Sequence, residues 1–296
     1  MATAPALQCY RLERIIRPAE HRGAGSGATV EIKQRVREQF GAAAEAYVRS
    51  RSHAFGHDLG RLVEWAAVWP GELALDVATG GGHTGLALAR HGARVILLDL
   101  TPEMLQAARR NAIASGIAPA GFIAADAEAL PLADRCVSLL TCRIAPHHFA
   151  DPAAFVREVA RVLEPGGRFL LIDSLSPADH ELDELVNELE RRRDPSHVRS
   201  YTLEEWCGFL ATAGLRVERV EVIYRRHEWD DWTVRSGMSE RARDALAAWL
   251  LSQERLCRFL DVEVDRASIR SFRDDKVLIL ARLPHQRSPA GPRSEG

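Results

Sequence analysis

The side chains best placed for chemistry in this sequence stand at the ends of short apolar runs. Asp76 lies in Leu73-Ala-Leu-Asp-Val77, just before the glycine turn Gly80-Gly-Gly82. Asp99 closes the run Arg94-Val-Ile-Leu-Leu-Asp99, and Asp126 closes Gly121-Phe-Ile-Ala-Ala-Asp126. Arg143 follows a fourth run, Val137–Cys142, and His147 and His148 come just after it. A glycine turn lets backbone N–H groups approach a ligand closely, and a carboxylate at a strand end can accept hydrogen bonds from a ribose diol. An acid beside an adenine pocket can accept the exocyclic amine. Imidazole titrates near neutrality and suits a general base. An arginine at the carboxyl edge of a sheet can grip a carboxylate.

These side chains need strands to carry them. A strand, a glycine turn, a helix and a second strand closed by an acid make a nucleotide-binding βαβ unit. Gly80, Gly82 and Gly85 satisfy G-x-G-x-x-G, and Asp99 follows Gly80 by 19 residues, near the spacing of an NAD site. Asp76 points away from a dinucleotide, because its carboxylate would face a pyrophosphate unfavourably. It suits a ligand that carries an ammonium group.

The rhythm continues with a helix over Pro152–Leu163, a turn Glu164-Pro-Gly-Gly167 and a fifth strand Arg168–Asp173. Thr101 is a candidate N-cap with Pro102 at the first helical position. The polar stretch Ala178–Arg193 reads as a helix with a solvated charged face. Thr202-Leu-Glu-Glu205 is a capping box opening a helix that ends at Ala213-Gly214. Leu215–Tyr224 and Lys276–Leu283 read as strands. Between them lies Arg225–Asp275, too long for a hairpin loop and expected to form a small cap. It holds a helix from Ser239 to about Phe259, with Trp229 and Trp232 either lining an apolar acceptor pocket or anchoring the cap. Upstream, Glu31–Tyr47 and Asp58–Val68 show helical spacing.

Four blocks now stand in order: Leu75-Asp-Val-Ala-Thr-Gly-Gly-Gly82, Asp99-Leu-Thr-Pro-Glu-Met-Leu105, Asp126-Ala-Glu-Ala-Leu-Pro131 and Arg161-Val-Leu-Glu-Pro-Gly-Gly167. On them the segment Leu73–Ser174 resembles the class I S-adenosylmethionine-dependent methyltransferases of small-molecule type. Within that class it is similar to the methyltransferase type 11 group, related to the ubiquinone/menaquinone C-methyltransferases. The resemblance implies an α/β fold: a Rossmann-like three-layer sandwich with a mixed seven-stranded sheet and helices on both faces. A helical N-terminal lid and the small cap insertion complete it. The implied strand order is 3-2-1-4-5-7-6, with the last-formed strand antiparallel.

The resemblance also implies S-adenosyl-L-methionine as cofactor, with Asp76, Gly80 and Gly82 at its methionine part and Asp99 on the ribose hydroxyls. Leu100 and Met104 would border the adenine. Asp126 would receive the adenine amine, with the Ala127 N–H nearby, and Arg143 would hold a carboxylate of cofactor or substrate. His148, with His147 beside it, is the candidate catalytic base. His197, Arg199 and Tyr201 stand in a loop where similar enzymes contact substrates. The expected function is methyl transfer to a small-molecule acceptor, whether at C, O or N being open. A non-catalytic S-adenosylmethionine-binding protein and an NAD-dependent oxidoreductase are the alternatives.

Composition bounds the rest. The chain has 296 residues and 46% apolar content, enough for one substantial core and a small cap. Residues 1–29 read as a flexible tail, 30–70 as the helical lid, 71–284 as the methyltransferase domain with 225–275 as its cap, and 285–296 as a second tail. A net charge of −2 without a basic stripe gives no sign of a nucleic-acid partner. No apolar run reaches the roughly 18 residues of a membrane span. Five cysteines without a metal or disulfide framework fit a reducing cytoplasm. His53 and His57 have the spacing of paired metal ligands, but Gly56 weakens the helix between them and no third ligand is evident, so no metal site is expected.

Overall fold

Strands apolar at nearly every position must be covered on both faces, and this constraint organises the chain. The computed structural model describes residues 15–17, 27–49, 56–266 and 268–285. Two helices, α1 (Gly27–Arg49) and α2 (His57–Ala66), come first. β1 (Leu73–Val77), α3 (His83–Arg90) and β2 (Arg94–Asp99) form the βαβ unit, with Leu75 opposite Ile96 in a parallel ladder. After α4 (Pro102–Ala114), β3 (Gly121–Ala124) pairs with β2, while β4 (Val137–Arg143) pairs with β1 on the other side. α5 (Pro152–Val162) leads into β5 (Leu163–Ser174), parallel to β4. The Glu164–Gly167 turn bulges out of this ladder, between the Val137–Leu163 and Leu139–Arg168 pairs.

α6 (His180–Arg193) and α7 (Leu203–Thr212) precede β6 (Arg216–Glu228). The capping box forms as the sequence specifies: the Thr202 hydroxyl accepts from the Glu205 N–H, and the Glu205 carboxylate accepts from the Thr202 N–H. β6 runs antiparallel to the last strand, β8 (Ser268–Arg282), which is itself antiparallel to β5. The order is β3-β2-β1-β4-β5-β8-β6. It is the expected arrangement, with one addition: a short strand, β7 (Glu263–Asp265), pairs with β8, so the described residues hold eight strands.

Period-two alternation splits the strand side chains into two cores. Leu75, Val77, Ile96, Leu98 and Leu171 pack with Phe155 and Val159 of α5 and Trp206 of α7. Ala74, Val95, Leu97, Leu139 and Leu170 pack on the opposite face with Leu62 and Trp65 of α2 and Leu88 of α3. Burying each large aliphatic side chain contributes roughly 1.5–3 kcal/mol, which makes these two layers the main stabilising term.

Several boundaries differ from the sequence reading. Residues 1–29 are not one flexible tail. Ile15 is buried in the first core, the Arg17 N–H donates to the Pro131 carbonyl, and the Ala133 N–H donates to the Ile15 carbonyl. α1 already begins at Gly27. Thr101 occupies the N-cap position of α4, but its side chain makes no capping hydrogen bond. The stretch 225–275 is not wholly an insertion, because β6 and β8 stay paired to Glu228 and Ser271. The single helix expected from Ser239 to Phe259 is two, α9 (Glu240–Ser252) and α10 (Glu254–Phe259), preceded by α8 (Trp229–Arg235). These three helices enclose a third cluster built on Trp229, Trp232, Leu250 and Phe272. The side chain of Tyr47 and the residue His53 lie outside the described residues.

Gly85 shows how closely the βαβ unit is packed. A Cβ there would run into the Leu97 side chain and come within 3.1 Å of Val95 Cγ1 and 3.2 Å of Asp76 Oδ2. Overpacking of this kind costs about 1–3 kcal/mol. Gly85→Ala should therefore lower the denaturation midpoint by that free energy. A variant as stable as the parent in urea would show that α3 can move away from β2 freely.

Candidate active site

The parallel strands all end on one side, and there the turns part around an open cavity, about 1020 Å³ with the solvent at its mouth included. α1 covers one flank with Lys33, Val36 and Phe40. Asp76, Gly80, Asp99, Leu100, Met104, Asp126, Ala127, Arg143 and His148 all line it. Gly82 and His147, singled out with them, do not. Gly82 has φ +82° and starts α3 against Ala108, which is a folding role.

Asp76 is 1% exposed, and its oxygens are largely committed. Oδ2 accepts from the Thr79 hydroxyl at 2.5 Å and the Gly85 N–H at 3.0 Å, and Oδ1 accepts from the Thr141 hydroxyl at 2.7 Å. A carboxylate has about four acceptor positions, so one remains, on Oδ1. Burial pushes its pKa up, against these three donors.

Asp99 is placed differently. Oδ2 accepts from the Gly80 N–H at 2.8 Å and Oδ1 from the Thr101 N–H at 2.9 Å. The Thr101 side chain adds a third hydrogen bond to this carboxylate. Burial raises the carboxyl to about 6, and the Thr101 and Gly80 N–H groups limit the rise.

Asp126 meets a partner that its own segment does not reveal. Lys33 Nζ of α1 lies 2.6 Å from Asp126 Oδ2 and 2.6 Å from Glu128 Oε2. Burial works against the ammonium, yet the two carboxylates together hold its pKa above the ordinary lysine value. Asp126 Oδ1 accepts from the Glu128 N–H at 2.9 Å, forming an Asx turn. Arg143 is likewise engaged, with Nη1 2.6 Å from Asp58 Oδ2 of α2 and Nε 3.0 Å from the Thr84 hydroxyl.

After Arg143 the chain turns through Ile144 at φ +55°. A β-branched residue seldom takes a positive φ, and such strain persists only where the surroundings fix it. Here the Ile144 N–H donates to the Ile172 carbonyl at 2.7 Å. Ile144 thereby becomes a wall, shared with Phe40 and His148, between the main cavity and a second chamber of about 550 Å³. His148 Nδ1 sits 3.0 Å from the Ser196 carbonyl. That carbonyl can only accept, so Nδ1 carries a proton, and the neutral ring has its lone pair on Nε2.

His147 lines the second chamber instead, with Nδ1 2.5 Å from Asp173 Oδ1 at the end of β5. Burial holds His147 well below the ordinary imidazole range and raises Asp173 to about 7. Trp232 lines this chamber, whereas Trp229 only packs within the cap. His197, Arg199 and Tyr201 line neither space. His197 hydrogen-bonds Asn187 Oδ1 at 3.0 Å, Arg199 pairs with Asp183 and Glu205, and Tyr201 packs on Trp206.

Lys33, Asp58 and Asp173 were not singled out from sequence. Asp173 carries the same signal as Asp99, an acid at the carboxyl end of a parallel strand. Lys33 and Asp58 have none, since helical spacing does not tell which charge turns inward. Among the described residues no group of three or more His, Cys, Asp or Glu side chains is arranged to hold a metal ion. Nor is any described helix long and apolar enough to cross a membrane.

The raised pKa of Asp173 sets a pH signature. Between the ordinary carboxylate value and about 7 the folded chain keeps a proton that the unfolded chain has released. Its contribution to stability therefore falls as pH rises through that window. Asp173→Asn stays neutral and can still accept from His147. Relative to wild type, the variant should gain stability from about pH 4 to about pH 7. Parallel pH–stability curves would show that Asp173 titrates normally.

A methyltransferase domain model matches residues 75–171. The uncharacterized methyltransferase YcgJ of Bacillus subtilis (strain 168) is 39% identical over 198 residues, 67% of this chain and 78% of that one. The ubiquinone biosynthesis O-methyltransferase of Xanthomonas euvesicatoria is 30% identical over 176 residues, 58% of this chain and 72% of that one. The crystal structure of the YcgJ protein superposes with a TM-score of 0.74 at 33% identity, covering 77% of this chain and 99% of that chain. With the Rossmann-like sheet and the strand-end cavity already in view, the chain belongs to the methyltransferase family.

Proposed function

We propose that the protein transfers a methyl group from S-adenosyl-L-methionine to a small-molecule acceptor. The observation that carries this reading is Asp99: a carboxylate oriented by two backbone N–H groups, lining the cavity at the end of β2. A carboxylate so held suits the hydroxyls of a ribose. Asp76 keeps one acceptor position for an ammonium group, beside Gly80 and Gly81. Leu100 and Met104 offer apolar surface to a purine, and Asp126 and the Ala127 N–H edge the same region. Arg143, tied to Asp58, adds a positive wall for a carboxylate. A dinucleotide fits less well, because the buried Asp76 carboxylate would oppose a pyrophosphate.

When bound, S-adenosylmethionine supplies a methyl group on a positively charged sulfur, already activated for attack. The chain's own task is then alignment of two reactants in a space with little water, which accounts for a large part of such rate gains. α1, clamped by Lys33 to Asp126 and Glu128, is read as the lid that closes this space. His148 lines both chambers, and in its neutral form Nε2 holds the lone pair with which a base can take the acceptor's proton. His147, held by Asp173, positions its neighbour at a ring-centroid distance of 4.1 Å.

S-adenosylhomocysteine should raise the melting temperature with a mass-action dependence on concentration, and NAD should not. Calorimetric binding of NAD alone would overturn the assignment. Asp99→Ala should weaken S-adenosylhomocysteine by roughly 1.5–3 kcal/mol, the range for hydrogen bonds to a charged group. In the wild type, affinity should fall as pH drops through about 6, because protonation removes an acceptor from Asp99. Affinity independent of both would take Asp99 out of the site.

His148→Ala should lower kcat on an acceptor by roughly 10²–10⁴-fold and leave cofactor affinity unchanged. Full turnover in this variant across pH would leave alignment as the whole mechanism.

A further inference from the structure

The second chamber differs chemically from the first. It meets the cofactor cavity at Phe40, Ile144 and His148, so a molecule lying in it borders the candidate base. Its charged lining consists of Arg193, Arg225, Arg235 and Lys276 against Glu190 and Asp274. The two acids are already matched. Asp274 Oδ2 is 2.6 Å from Lys276 Nζ, and its Oδ1 is 3.0 Å from His227 Nε2. Glu190 accepts from Arg193 Nε at 3.1 Å, while the Arg193 guanidinium lies 4.6 Å over the Trp232 ring. The half-buried Arg225 makes no ion pair or side-chain hydrogen bond with a described residue. Arg193 and Arg235 have partners of their own, so Arg225 is the guanidinium of this lining whose donors no described residue meets.

We propose that this chamber is the acceptor site and that it takes a small organic anion, whose carboxylate or phosphate head is held by Arg225. The methyl-transfer role of the bound anion rests on the reading above; the charge preference does not. A guanidinium offers a planar fork of donors that fits a carboxylate or phosphate through two bonds. The head group would replace water on Arg225 and meet its donors. Trp232 and Phe40 supply flat apolar surface for the rest of the molecule, and His148 stands where its reacting atom meets the cofactor cavity. The imidazoles record the same field. Burial lowers His227 most, opposed by Asp274, and Lys276 and Arg225 lower it further. This acceptor differs from the mainly apolar one that tryptophans in a cap suggest.

The test is calorimetry on the full chain saturated with S-adenosylhomocysteine, using benzoate and phenyl phosphate as probes and neutral benzamide as control. At least one anion should bind about tenfold more tightly than benzamide, and added salt should weaken it. Arg225→Ala should abolish the preference while melting temperature and S-adenosylhomocysteine affinity stay at wild-type values. Arg225→Lys should keep part of it, having the charge without the fork. Benzamide binding as tightly as both anions, no anion binding at millimolar concentration, or a preference that survives Arg225→Ala would each overturn the proposal. If S-adenosylhomocysteine itself does not bind, the methyltransferase reading fails. The same titrations on the unliganded chain then decide the charge preference separately.

Discussion

A carboxylate at the centre of a sheet can exist only if its lone pairs are met, and Asp76 draws the site together on that condition. It collects the Thr79 hydroxyl from the glycine turn, the Gly85 N–H from the first turn of α3 and the Thr141 hydroxyl from β4. One buried acid thus fixes the turn, the helix and the neighbouring strand relative to β1. Removing it would leave two hydroxyls and an N–H buried without partners, which costs about 1–3 kcal/mol each. Asp99 repeats the device one strand over, bridging Gly80 and Thr101. In both cases the same oxygens that hold the backbone also border the cavity. On the proposed assignment, folding and ligand recognition would draw on the same two carboxylates.

Much of this was legible because it is local. The strands, the glycine turn and the acids at the strand ends lie within short stretches whose period and punctuation specify them. The capping box at Thr202 is equally self-contained. What stayed hidden depends on distant segments. Lys33 lies on a helix whose charged residues look alike in sequence, yet it alone of these is seen to reach Asp126 and Glu128. Arg143 read as an unpaired grip because Asp58 belongs to another helix. Ile15 and Arg17 sat in a segment whose composition suggested no structure, but backbone hydrogen bonds to residues 131–133 need no particular side chain. The cap helices were merged because Gln253, where they break, is neither glycine nor proline.

The histidine pair shows the limit most sharply. Adjacent in sequence, His147 and His148 serve different spaces. The short 3-10 turn Pro146–His148 sends one ring toward Asp173 and the other toward Ser196. Both second partners are remote, so the sequence, which favours His148 as the base, shows nothing of what separates the two rings. The Ser196 carbonyl fixes the tautomer of His148, whereas burial of both His147 and Asp173 disfavours a charged pair there. The ring with the defined lone pair is also the one that faces both chambers.

The two chambers also differ in where along the chain they come from. The cofactor cavity is built mainly by residues 76–149, within the segment 75–171 that the family model matches. Of the second chamber, Ser174, Glu190, Arg193, Arg225, Arg235 and Lys276 all lie beyond that segment. They sit on β5's last residue, α6, β6, α8 and β8. The family model therefore speaks to the first chamber, and most of the second lies outside its match. A βαβ unit that supplies an activated methyl donor leaves the choice of acceptor to whatever encloses the space beside it. In this chain the enclosure includes a cap whose apolar side chains pack mainly in its own core, around Trp229, Leu250 and Phe272, with Trp232 also lining the chamber. Charged side chains of α6, β6, α8 and β8 face the chamber, and on the proposed acceptor assignment the preference would be set by segments outside the match of the family model.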